Sequence, residues 1–228
     1  LLVGLLAGQK VSATFIGDDS LSSRPMNRIL SPLAEMGLKL KSKNKRLPIT
    51  ITKSELTGLD YESPIASAQV KSSVLLATLG SNKTTCFTEP VLSRDHTERM
   101  LKYIGADISF KNNKTFLEPL SNPLSPFNFN IPGDPSTAAF FAGAASIIPG
   151  SNITINRVLI NPTRIGFFTI LDKMGARIKY LKEKEEVGEL IGNINIKQER
   201  LNGVRISAKE IPAIIDELPI IAIIATQA

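Results

Sequence analysis

The chain has 228 residues, 43% of them hydrophobic, a single cysteine and a formal net charge of +6. That length accommodates one large or two ordinary domains, and the apolar content excludes a disordered chain. One cysteine excludes an internal disulfide framework and fits a reducing, cytoplasmic compartment; no apolar run reaches the length of a membrane span, and the positive surplus favours anionic partners.

Leu1 to Gly8 reads as the end of a buried helix, with no basic stretch ahead of it and no initiator Met, so the chain reads as an excerpt rather than as one opening on a signal peptide. Residues 11–16 alternate as a strand, and Gly17 to Pro25 reads as a polar loop. Met26, Ile29, Leu30, Leu33 and Met36 then recur at helical spacing, and Gly37 ends that helix. Short strands are expected at 39–41 and 48–51, with the basic run from Lys39 to Arg46 forming a solvated hairpin rather than a nucleic-acid surface, since no aromatic residues interleave it.

Pro64 forbids helix before it, Ser67 is a good N-cap, and residues 67–79 suit a buried helix. Small and polar side chains at that N-terminus, where free N–H groups and the positive dipole end meet, suit a phosphate or carboxylate. The plainer reading, in which Ser67 merely caps while Gln69 and Lys71 are solvated, stands beside it.

The same phrase then returns. A strand at 84–87, a loop from Ser93 to Glu98, an apolar stripe of Met100, Leu101 and Ile104, and Gly105 as C-cap repeat the earlier order. Residues 121–130, rich in Pro, Asn and Ser, mark a domain crossing between 1–127 and 128–228. Beyond it come a helix from Asp134 to Ile148 with Pro135 at its first position, a strand at 152–155, a helix at 165–174, a charged hairpin from Lys179 to Glu189, and a helix at 216–225. Arg24, Arg94 and Arg164 are spaced by 70 residues, and Gly37, Gly105 and Gly175 keep nearly the same beat. Such a period marks one supersecondary unit reused, here an α/β unit of strands and helices with the apolar helices inside.

Five phrases carry a resemblance: residues 17–26 (GDDSLSSRPM), 67–72 (SAQVKS), 93–98 (SRDHTE), 133–136 (GDPS) and 216–219 (DELP). Together, in this order and spacing, they resemble the 5-enolpyruvylshikimate-3-phosphate synthase (3-phosphoshikimate 1-carboxyvinyltransferase) family. The resemblance implies an incomplete two-domain enolpyruvyl transferase fold, an inside-out α/β barrel of repeated βαβαββ units. Residues 1–127 would form most of the first domain and 128–228 about half of the second. It implies transfer of the carboxyvinyl group of phosphoenolpyruvate to the 5-hydroxyl of shikimate 3-phosphate through a tetrahedral intermediate, with no cofactor, no metal, no nucleic-acid or membrane partner, and a monomer.

By the same resemblance Arg24 grips phosphoenolpyruvate, Ser67, Ala68, Gln69, Ser93 and Arg94 bind shikimate 3-phosphate, and Asp216 accepts the hydroxyl proton. The residues themselves leave other readings open. Arg24 could pair with Asp18 or Asp19, and Asp216 with Glu217 could simply be first-turn acids complementing a helix dipole. His96 reads as a capping or supporting residue beside Asp95, and Cys86 as a small buried strand residue. A Lys-Ser-x-x-x-Arg segment, a Gly-Thr turn, and a Lys-Glu with further arginines, all used by the family, are absent, so a polypeptide of these residues alone is expected to lack turnover. Alternatives are the sister transferase acting on UDP-N-acetylglucosamine, whose loop usually carries a reactive cysteine near the place of Asp19, and a non-catalytic anion-binding repeat module.

Overall fold

The period seen in the sequence is realised as a helix, a strand, a second helix and a β-hairpin. In a computed structural model, which describes residues 1–208 and 210–228, the first pass runs α1 (Leu2–Gly8), β1 (Ala13–Phe15), α2 (Asp19–Ser22), α3 (Asn27–Glu35), β2 (Lys39–Lys43) and β3 (Arg46–Thr52). The second runs β4 (Asp60–Glu62), α4 (Ala68–Thr78), β5 (Thr85–Thr88), α5 (His96–Tyr103), β6 (Ile108–Lys111) and β7 (Lys114–Leu117). The third comprises α6 (Pro135–Ile147), β8 (Asn152–Leu159), α7 (Gly166–Lys173), β9 (Arg177–Glu186) and β10 (Glu189–Lys197). Two 3-10 turns at Ile211–Ala213 and Ile215–Glu217 then lead into α8 (Leu218–Ala225).

The three sheets share one plan, with the last strand of each pass lying between the two strands that precede it in the chain: β1-β3-β2, β4-β5-β7-β6 and β8-β10-β9. Among the described residues only the second pass carries the leading strand in full, because β4 pairs parallel with β5 (Tyr61 opposite Phe87) and so completes a βαβαββ unit. In the third pass a single parallel bridge, Gly133 to Val158, occupies the leading strand's place. β4 was not foreseen. Its three residues, Asp60-Tyr61-Glu62, are too few to show alternation.

Contacts divide the chain into two compact units, 1–127 and 128–228. In the first, α4 is buried along most of its length because both faces are small or apolar: Val70, Val74, Leu75 and Ala77 are each at most 1% exposed. Burying such Val and Leu side chains contributes about 1.5–3 kcal/mol each. α1 packs closely on α4, and glycine makes this possible: a Cβ on Gly4 would stand 1.9 Å from the Ser73 carbonyl oxygen. Ile49, Ile51, Leu33 and Phe87 close that core from the sheets and α3.

In the second unit Ala139, Ala142, Phe167, Ile170, Ile194 and Ile196 are buried together. Here the interior position of the first helix holds for one face. Ala138, Ala139, Ala142 and Ala145 are buried, whereas Phe140 and Phe141 are 56% and 61% exposed. The charged segment from Lys179 to Glu189 is the β9/β10 hairpin, turning through Val187 and Gly188, both with positive φ. The expected helix at 216–225 starts later, at Leu218. Pro219 has no N–H to donate back to residue 215, so Ile215–Glu217 closes as a 3-10 turn instead. The loop at 17–25 likewise contains a helical turn, α2, capped by Asp18 Oδ1 accepting from Leu21 N–H at 2.7 Å. Among the described residues no helix is long and apolar enough to cross a membrane.

Candidate functional site

The chain enters α4 through a kink at Pro64, where the Ser63 hydroxyl donates to the Ile65 carbonyl at 2.8 Å. Ser67 is the N-cap, extended at φ −148°, and its Oγ accepts from Val70 N–H at a long 3.5 Å. Ala68 is half-buried and Gln69 exposed in the first turn. The N–H groups of that turn have no intrahelical acceptors, so it carries partial positive charge.

Two arginines, one in the loop before α3 and one in its first turn, reach this end of α4. Arg28, in the first turn of α3, donates from Nη2 to Gln69 Oε1 at 3.3 Å. Arg24 and Arg28 both line a cavity of about 670 Å³ with Asn27, Tyr61, Ser63 and Pro64, and a second of about 440 Å³ with Gln69, Phe15 and Leu21. Arg24 pairs with neither Asp18 nor Asp19; among the described residues its guanidinium forms no ion pair. Arg28 was not foreseen. Its signal was a place in the first turn of the apolar-striped helix that follows the Arg24 loop.

Lys71 is the larger correction. Instead of lying in solvent it is 0% exposed, its Nζ 2.6 Å from Glu89 Oε2 and 2.6 Å from Glu98 Oε1, both carboxylates also buried. Burial pushes the Glu98 carboxyl up, opposed by the Lys71 ammonium beside it. Glu89 extends the arrangement by accepting from Ser93 N–H at 3.2 Å, while Asn113 donates its amide to the Glu89 carbonyl. The Ser93 segment is thereby tied to α4 within two residues of Gln69. Ser93 Oγ and Glu98 Oε2 are buried without hydrogen-bond partners among the described residues.

Arg94 follows on the same segment and is half-buried. Asp95, the residue before α5, holds Arg99 Nε at 2.7 Å, and His96 is the first residue of that helix. Cys86 is half-buried rather than fully buried, since β5 turns Thr85 and Phe87 inward; burial raises its thiol pKa.

Asp216 lies in the second unit, in the 3-10 turn ahead of α8 rather than in the helix itself. Its neighbour Glu217 is buried and accepts from Ser136 Oγ at 2.5 Å. Ser136 Oγ also accepts from Arg164 Nη2 at 2.8 Å, and the same guanidinium nitrogen reaches Asp134 Oδ1 at 2.9 Å. Among the described residues no group of three His, Cys, Asp or Glu side chains is placed to hold a metal ion.

These features define a mixed α/β protein of repeated strand–helix–hairpin passes that presents arginines at the N-terminus of a buried helix, an arrangement suited to a phosphate or carboxylate ligand. Solved structures share this fold. The EPSP synthase from Acinetobacter baumannii superimposes with a TM-score of 0.89 at 41% identity, over 99% of this chain and 51% of its own. The enolpyruvyl transferase NikO from Streptomyces tendae matches all of this chain and 53% of its own with a TM-score of 0.77 at 18% identity, a likeness of fold. The 3-phosphoshikimate 1-carboxyvinyltransferases of Sulfurihydrogenibium sp. (strain YO3AOP1) and Thermodesulfovibrio yellowstonii are 47% and 46% identical, each over 100% of this chain and 54% of their own length. The family profile for EPSP synthase (3-phosphoshikimate 1-carboxyvinyltransferase) matches residues 1–228, and the chain belongs to that family. It spans about half the length of the curated relatives it matches.

Proposed function

We propose that the protein transfers the enolpyruvyl group of phosphoenolpyruvate to the 5-hydroxyl of shikimate 3-phosphate and releases phosphate. The observation that carries this reading is the pair Arg24 and Arg28 at the N-terminus of α4, in cavities large enough for a small phosphorylated acid. Ser67, Ala68 and Gln69 would take the phosphate of shikimate 3-phosphate through helix N–H groups and side-chain donors. Ser93 and Arg94 would add a further contact, held in place by the buried Lys71 and Glu89 pair. Arg24 would grip phosphoenolpyruvate, whose carboxylate and phosphate suit a planar fork of donors.

Asp216 would accept the proton of the attacking hydroxyl from its place in the short turn ahead of α8. In this reading residues 1–127 are most of one domain of an inside-out α/β barrel and 128–228 about half of the other, in a monomeric cytoplasmic enzyme. Family membership over the whole chain supports both the substrates and the fold. The test is calorimetric titration of a chain of full family length carrying these residues, with shikimate 3-phosphate and then phosphoenolpyruvate. Binding that Gln69→Ala weakens is the expected result; no binding by the folded protein would overturn the proposal.

A further inference from the structure

We propose that Glu217 and Ser136 are positioning residues for Asp216: together with Arg164 they form a partly buried relay that sets the turn on which Asp216 is presented. This rests on the reading of Asp216 as the proton acceptor.

The turn Ile215–Glu217 has no side-chain cap of its own and is closed by Glu217 N–H donating to the Ile214 carbonyl at 2.9 Å, and α8 after it begins with Leu218 and Pro219. Two further contacts bear on it. On one side Ala213 and Ile214, just before the turn, lie against Gly166 at the start of α7 so closely that a Cβ there would stand 2.6 Å from the Ala213 carbonyl oxygen. On the other, Glu217 turns inward to 6% exposure and accepts the Ser136 hydroxyl proton at 2.5 Å.

Ser136 has one proton to give, and Arg164 decides where it goes. The guanidinium donates to Ser136 Oγ at 2.8 Å, which leaves the hydroxyl to donate onward to Glu217. Arg164 is itself fixed by Asp134, which caps α6 by accepting from Thr137 N–H at 3.0 Å. The carboxylate of Glu217 is thus held by a hydroxyl polarised by a cation, and a buried acid so held fixes the backbone that carries it. Asp216, one residue earlier, is aimed by that backbone. A shift of about 1 Å in a reacting group can cost on the order of a hundredfold in rate, so the relay acts on turnover rather than on substrate affinity.

The test uses a chain of full family length carrying Glu217→Ala, Glu217→Gln, Ser136→Ala or Asp216→Asn, with steady-state kinetics and thermal melting of each. For Glu217→Ala and Ser136→Ala the expected result is kcat lower by about tenfold or more with KM for both substrates within about twofold, because misalignment affects the reacting geometry and leaves remote binding intact. Glu217→Gln keeps an oxygen that accepts from Ser136 and should retain most of the wild-type kcat. If Glu217→Ala does not fold, Ser136→Ala carries the same comparison. Near wild-type kcat in Ser136→Ala, or a Glu217→Gln variant as impaired as Glu217→Ala, while Asp216→Asn abolishes turnover, would overturn the relay. Retained turnover in Asp216→Asn would instead overturn the role of Asp216 itself.

Discussion

The loops of Arg24 and Arg164 occupy the same place in the repeat, yet their arginines meet different company. In the second unit the helix cap is Asp134, and its carboxylate fills the anionic position at the N-terminus of α6 and takes the Arg164 guanidinium, which is left 11% exposed. In the first unit the cap is Ser67, neutral and small, and Arg24 and Arg28 stay exposed beside the first turn of α4 with Gln69 as their polar neighbour. One arginine is met by the carboxylate of a helix cap; the other lines a cavity. The repeat supplies the frame, and the choice of Asp or Ser at one cap decides whether a helix N-terminus is an internal joint or a place for a ligand.

The positions four residues after each cap differ as sharply. Lys71 sits there in α4 and Ala138 in α6, both buried. Lys71→Met should therefore have the largest effect on stability, a loss of about 3–5 kcal/mol in chemical denaturation, because Glu89 and Glu98 would remain buried without their counter-ion. Next comes Ser67→Asp, which gives α4 the cap of α6. It should keep the helix and cut shikimate 3-phosphate affinity by about a hundredfold, or about 2.7 kcal/mol, measured by calorimetry.

The third prediction concerns pH. Glu98 has a raised pKa, chiefly from burial, so the folded state holds its proton above 4.5 where the unfolded chain has lost it. That contribution to stability is full below 4.5 and is lost as pH rises through the folded value; Glu98→Gln should flatten the decline, and an unchanged profile would count against it. The smallest effect is expected from Asp134→Ser. The cap is kept, Asp134 is itself 53% exposed, and Arg164 keeps the Ser136 hydroxyl as an acceptor, so the cost should stay within about 1 kcal/mol.

Much of this contrast was legible in the sequence. The period of the arginine loops, the cap Ser67, a cap at Asp134 or Ser136 and the hairpin at 179–189 all follow from local chemistry, where cap, turn and apolar spacing lie within a few residues of one another. What was missed depends on distance along the chain. Lys71 looked solvated because its partners lie 18 and 27 residues away, and nothing near it signals two buried acids. β4 was invisible because a three-residue strand shows no period, and Arg28 because its helix was read for its apolar stripe alone. Glu217 was read with Asp216 as a dipole-compensating acid, but Pro219 moves the helix start past both and turns Glu217 toward Ser136 instead.

The most direct test of the contrast between the two caps is a crystal structure of a chain of full family length carrying these residues, grown with shikimate 3-phosphate. The account predicts the phosphate at the N-terminus of α4, its oxygens about 3 Å from donors of Ser67 and Gln69, with Asp134 still paired to Arg164. A phosphate seated against Arg164, or one that leaves α4 untouched, would contradict it.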